Sequence, residues 1–167
     1  MNQFNHLYQL HYPMVQHLIA RMVGDSDEVN DLTQEVFVKL YVQLNAGNTV
    51  VFPKTWLYRV ATHLTINHLS RSKKHLQLEE AHQCELPETD TAEGQLEAGD
   101  RKRLVEKALM KLEERERILL VLYAEGLSYK EIAEISSIGL TSVGKLLSRA
   151  LQKLKKELND EGYELFE

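Results

Sequence analysis

Apolar residues recur at helical spacing in two blocks of this 167-residue chain, and between the blocks, from Leu76 to Asp100, the pattern stops. A helix with one apolar stripe must bury it against another, so each block has to assemble its own set of packed helices. In the first block Val15, Leu18, Ile19, Met22 and Val23 form one stripe. Gly24 breaks it, and Asp25 or Ser26 stands where a new helix needs a cap. A second stripe runs through Val29, Leu32, Val36, Phe37, Leu40, Tyr41 and Leu44 and stops at NAGNT. The third follows Pro53, uses Leu57, Val60, Ala61, Leu64 and Leu69, and ends in the basic SRSKK. In the second block Leu104, Val105, Ala108, Leu109 and Leu112 resume the spacing, followed by Ile118, Leu119, Leu122 and Tyr123. No strand alternation occurs at any length. The expected fold is all-α, with two small helical domains (residues 1–75 and 101–167) joined by a flexible acidic linker (76–100) that is poor in aromatics.

Charge is unevenly distributed over this plan. The total is 25 Asp and Glu against 20 Lys and Arg, a net charge of -5. From Asp25 to Glu35 there are only acids, from Lys54 to Lys74 only bases, and Lys130 to Lys156 is mainly basic. Such patches imply partners of opposite sign, which the average conceals. Other classes are excluded. The single cysteine, Cys84, permits no internal disulfide and no Cys-rich zinc site. No apolar run reaches the ~18–20 residues of a membrane span, and the first residues lack a secretory pattern; no membrane insertion and a cytoplasmic location are expected. The histidines are scattered and no Gly-rich phosphate loop exists, so neither enzyme activity, metal nor cofactor is expected.

The carboxy-terminal block holds the most specific local pattern. In GLSYKEIAEI, Ser128 and Glu131 have capping-box spacing, while Leu127 and Ile132 occupy the positions of a hydrophobic staple. Ala133 is small where helices cross, and SSIG makes a turn at which Gly139 can adopt angles closed to other residues. The next helix puts Val143, Leu146, Leu147, Ala150, Leu151, Leu154 and Leu158 on one side. Its other side carries Ser142, Lys145, Ser148, Arg149, Gln152, Lys153 and Lys156. This is the pattern of a helix-turn-helix whose polar front enters the major groove; a helical hairpin with a solvated basic face is the plainer alternative.

Three stretches, DLTQEVFVKLY, TWLYRVATHLTINHLSRSKK and LEERERILLVLYAEGLSYKEIAEI, occur in this order. Together they resemble bacterial sigma factors of the extracytoplasmic-function type, in the sigma-70 superfamily, from about Leu7 to Lys156. The resemblance implies a factor that binds core RNA polymerase and reads two promoter elements. It places Asp31, Gln34 and Glu35 on the clamp helices of the largest subunit, and the second domain near the beta-subunit flap. It assigns Lys54, Arg59, Asn67, Arg71 and Lys73 to the minus-ten DNA, with Asn48 and Thr49 as loop contacts and Trp56 as either core or a stacking wedge. It assigns Ser142, Lys145, Ser148 and Arg149 to the minus-thirty-five element, with Thr141 as cap or phosphate contact. His63 and Asn67 replace the family's usual Asn and Asp, and Gly144 and Leu146 stand where basic residues are common. An anti-sigma protein is an expected further partner, and the acids Glu79, Glu80, Glu85, Glu88 and Asp90 could mimic transcript in the polymerase RNA path. The competing class is a free-standing helix-turn-helix regulator that grips duplex DNA without polymerase.

Overall fold

The structure, a computed structural model, describes residues 3–24, 26–78 and 98–160. Its elements are α1 (Gln3–Val23), α2 (Glu28–Asn45), α3 (Pro53–Leu78), α4 (Ala98–Lys111), α5 (Glu114–Ala124), α6 (Tyr129–Ser136) and α7 (Leu140–Asp160). Among the described residues there is no strand. The acids of the expected linker from Glu79 to Asp90, Cys84, Asp25 and the last seven residues lie outside the described residues.

The amino-terminal half is a three-helix unit of α1, α2 and α3. Its core draws on the expected stripes, with Val15, Leu18, Ile19, Met22, Val36, Leu40, Leu57 and Ala61 all at 0% exposure, while Val23, Leu44, Val60, Leu64 and Leu69 are only partly buried against it. The helix α1 reaches back to Gln3 because an aromatic ladder holds it there. Phe4 packs edge-on to Tyr41 (ring centroids 5.3 Å), and Tyr8 and Tyr12 pack on Phe37 (4.8 and 5.7 Å). Pro13 is tolerated inside α1 because it sits on the exposed side, where a missing amide bond leaves its carbonyl partner to water. Tyr41 is therefore a half-exposed edge of the ladder and not the core residue the spacing suggested.

Three boundaries differ from the sequence reading, one of them the start of α4 at Ala98, inside the expected linker. Asp27 is the N-cap of α2 and makes no side-chain cap; the Ser26 hydroxyl bonds the Glu28 carboxylate instead, while its carbonyl accepts from the Val29 amide. The turn before it rests on Gly24, whose φ of +89° and close approach to Met110 favour glycine. At the other end α3 runs past SRSKK to Leu78, since Ser72 bonds the His68 carbonyl within the helix and nothing after it forbids helical angles.

In the carboxy-terminal half α5 is buried almost all round, from Arg117 through Leu122. Arg117, 4% exposed, donates from Nη1 to the Met110 carbonyl at 3.3 Å near the end of α4, where carbonyls lack helical partners. Burial pushes its pKa down and the charge of Glu114 opposes this. The capping box forms as expected. The Glu131 amide donates to the Ser128 hydroxyl at 3.2 Å, and the Ser128 amide donates to the Glu131 carboxylate at 2.7 Å. Leu127 and Ile132 are both buried, as a staple requires. The left-handed residue of the following turn is Ser137 (φ 56°), not Gly139, because α6 ends with the Ser137 amide bonded to the Ala133 carbonyl.

The two halves do not stand apart. Contacts of α1 with α4 and α5, and of α3 with α6, join their cores into one apolar cluster.

Candidate nucleic-acid interface

On α2, Asp31, Gln34 and Glu35 are exposed, as the motif required. Helical spacing carries their face on through Val38 and Val42, each 59% exposed. A helix that leaves two valines in water beside two carboxylates and an amide presents a mixed apolar and acidic strip. Such a strip suits a protein surface with basic and apolar groups, and repels DNA.

The face of α3 is basic. Arg59, Asn67 and Arg71, with His63 between them, follow one another at intervals of four and share one exposed stripe. Two of the residues assigned to minus-ten DNA leave that stripe. Lys54 lies over the Tyr58 ring, 5.7 Å from its centroid, and Lys73 turns to Glu114 of α5 at 3.3 Å. At the start of α3 the loop and helix form a cleft of about 240 Å³ lined by Gln43, Asn48, Thr49, Val51, Phe52, Trp56 and Arg59. Phe52 is 74% exposed and Val51 71%. Trp56 is half-buried and packed on the core, and it also lines this cleft. Asn48 is fixed by a bond from Nδ2 to the Gln43 side chain at 2.8 Å. A cleft with an aromatic wall, amide groups and a guanidinium can hold an unstacked base.

On α7, Thr141, Ser142, Lys145, Ser148 and Arg149 are exposed, opposite the buried Val143, Leu147 and Ala150. Thr141 is the second residue of the helix, so it does not cap it; Gly139 precedes the helix and its carbonyl accepts from the Ser142 amide. Gly144 serves close approach: a Cβ there would meet Tyr129 Cε2 at 3.3 Å. Beside the exposed face of α7, and sharing Ser148 with it, Tyr123, Tyr129, Leu151 and Lys155 line a groove of about 300 Å³. Tyr123 and Leu151, expected in the core, are half-exposed on that groove because Leu119, Leu122 and Leu147 already fill the space between α5 and α7.

Sequence reasoning missed the loop pair Val51 and Phe52, although two large apolar residues before a proline, outside any stripe, were a usable signal. It also missed the residues joining the halves, among them Arg21, Tyr58, Glu125 and Glu134, for which periodicity carries no signal. No cluster of His, Cys, Asp and Glu able to hold a metal occurs among the described residues, and no helix there is long and apolar enough to cross a membrane.

The family model for sigma-70 region 2 matches residues 7–75, and that for sigma-70 region 4 matches residues 102–154. Over 155 residues the chain is 31% identical to the RNA polymerase sigma factor YlaC of Bacillus subtilis, covering 91% of this chain and 90% of that one. The chain belongs to the sigma-70 family of RNA polymerase sigma factors. This sigma factor is also 33% identical to the RNA polymerase sigma-H factor of Pseudomonas aeruginosa over 153 residues (84% and 78% of the two chains). With the ECF RNA polymerase sigma factor SigW of Bacillus subtilis it shares 28% over 171 residues (94% and 89%), in keeping with the extracytoplasmic-function group. Its fold matches the sigma factor RpoE of Bartonella quintana, solved in complex with the anti-sigma factor NepR, with a TM-score of 0.74, 20% identity and coverage of 95% and 98%.

Proposed function

We propose that this sigma factor directs promoter-specific initiation by docking the acidic-apolar face of α2 on core RNA polymerase and presenting α3 and α7 to separate promoter elements. Asp31, Gln34 and Glu35 bind the clamp helices of the largest subunit, and Val38 and Val42 extend the contact. Arg59, Asn67 and Arg71 follow the phosphates of the minus-ten strand, with Lys54 at the edge and the Trp56 cleft receiving an unstacked base. Lys73 joins them once it leaves Glu114. Thr141, Ser142, Lys145, Ser148 and Arg149 meet the minus-thirty-five duplex, and the Tyr123–Leu151 groove faces the beta-subunit flap. The site of action is the cytoplasm. An anti-sigma protein acts by covering the α2 face.

The observation that carries this reading is the separation of signs: the α2 face is acidic and apolar, while the exposed fronts of α3 and α7 are basic. Tethered to polymerase, each front acts at high effective concentration and needs little affinity of its own. A free-standing regulator would need the opposite, a strongly basic surface around its helix-turn-helix. Charge reversal tests the docking face. Asp31→Lys with Glu35→Lys should abolish association with core polymerase and promoter-dependent transcripts while leaving the helical circular dichroism unchanged. Normal transcription by that variant removes the docking assignment.

A further inference from the structure

The seam between the halves keeps a cavity. Helices α3 and α5 run antiparallel across it, tied at one end by the Tyr58 hydroxyl on Glu125 (2.9 Å) and at the other by Lys73 on Glu114 (3.3 Å). Thr62, Thr65 and Ile66 follow Tyr58 at four, seven and eight residues, so helical spacing sets them on the side of α3 that meets α5. At the Glu114 end the walls part around a volume of about 370 Å³. Ile66 of α3, Glu114, Arg115 and Ile118 of α5, and Ser136 and Ser137 at the end of α6 line it. That volume lies within the ~300–1,000 Å³ of small-molecule sites. Thr62 and Thr65 are fully buried, and neither hydroxyl has a partner. Buried polar atoms are nearly always paired, so two in succession mark a face whose hydrogen-bonding capacity the chain itself leaves unused.

We propose that this cavity binds a small amphipathic anion, its apolar body between Ile66 and Ile118 and its acidic group on Arg115. An apolar body placed there removes from water the surface that the two isoleucines, one buried and one partly buried, still show. Glu114 would repel an anion, but Lys73 already neutralises it. Arg115 is exposed and makes no ion pair among the described residues. Its planar guanidinium can meet a carboxylate or sulfonate through two parallel N–H bonds, which a lysine could not do. Ser136 spends its hydroxyl hydrogen on the Ile132 carbonyl, whereas the exposed Ser137 adds a donor at the rim. A ligand with one wall on α3 and the other on α5 and α6 adds its own contacts to the seam. The assignment stands apart from how promoter DNA is read.

The test uses the full chain and two dyes that share a ring system, anilinonaphthalene sulfonate and its uncharged counterpart N-phenylnaphthylamine. The sulfonate should bind saturably, and Arg115→Gln should weaken it about tenfold, the worth of one charge-assisted pair. The uncharged dye should bind that variant as it binds wild type. Ile66→Trp, which fills the cavity with a ring, should abolish binding of both. Methyl spectra of isoleucine-labelled wild type decide the matter if Ile66→Trp fails to fold. The signals of Ile66 and Ile118 should shift with either dye while that of Ile19, in the amino-terminal core, stays in place. Neither α2 nor the α7 groove carries an isoleucine, so dye held there leaves these signals still. Unmoved Ile66 and Ile118 methyls, or no saturable binding, overturn the site. Equal affinity of the sulfonate for wild type and Arg115→Gln overturns the anionic end of the assignment. Loss of both dyes in Arg115→Gln overturns it too, since the charge would then act through the fold.

Discussion

Gly144→Ala sets two effects of opposite sign against each other at the crossing of α6 and α7. Glycine within a helix is worse than alanine by about 0.5–1 kcal/mol. Against this gain, the new Cβ would stand 3.3 Å from Tyr129 Cε2, inside the ~3.5–4.0 Å optimum for two carbons. The ring must move by a few tenths of an ångström. Tyr129 is 45% exposed and its aromatic neighbour is Tyr123 at a centroid distance of 6.3 Å, so the ring can swing toward water. Each pair of atoms that separates in that movement forfeits about 0.1–0.2 kcal/mol of dispersion. The helix term wins, and the expected net is a stabilisation of about 0.3–0.8 kcal/mol. For a chain of this size that raises the melting midpoint by about 1–3 °C. Urea and thermal unfolding of the full chain measure it, and holoenzyme binding to an upstream duplex should not change, since Ser148 and Arg149 keep their places. A destabilisation of about 0.5 kcal/mol or more would refute the reasoning: the ring would then be pinned, and Gly144 would set the angle of the reading helix.

Ser128→Ala should cost about 1 kcal/mol of stability, the usual loss for a side-chain N-cap. The Ser128 amide, then its hydroxyl, hold the Glu131 carboxyl below its ordinary pKa. A depressed carboxylate stabilises the fold above its unfolded pKa and loses that contribution as pH falls through the folded value. The gap between wild type and Ser128→Ala should therefore narrow, without closing, as urea titrations move from neutral pH into that acid range; a gap that widens contradicts the assignment. Lys145→Ala and Arg149→Ala should each weaken holoenzyme binding at the upstream element by about 1–3 kcal/mol if they contact bases, with core binding intact. A uniform loss across all upstream sequences would reassign them to phosphate.

The stripes of α1, α2 and α7 were legible because each has one buried side, and burial follows period. The capping box was legible because Ser128 and Glu131 satisfy each other within one turn and need no tertiary partner. Long-range structure was not. Nothing local in Glu125 says that its carboxylate meets Arg21 and Tyr58 across the fold, or that His63 reaches the Ile135 carbonyl. The left-handed turn was misplaced for a similar reason. Gly139 was the residue able to adopt it, but where α6 ends decides which residue must, and that is Ser137.

An acidic chain that reads DNA needs a place for its acids. Glu134 and Glu114 pair with Arg59 and Lys73 on the face proposed for the minus-ten strand. Salt then acts twice. It weakens strand binding through counterion release, by about 0.7 in the logarithmic slope for each phosphate neutralised on a single strand. It also screens the exposed Arg59–Glu134 and Lys73–Glu114 pairs, which frees the two cations and partly offsets the first effect. In the double variant Glu134→Gln with Glu114→Gln only the first effect remains. Its binding to single-stranded DNA should fall more steeply with salt than that of wild type, by up to about 1.4 in the slope for the two cations released. Parallel slopes would mean that the two acids do not compete with phosphate, and the acid excess of the chain would have to be explained by its protein partners alone.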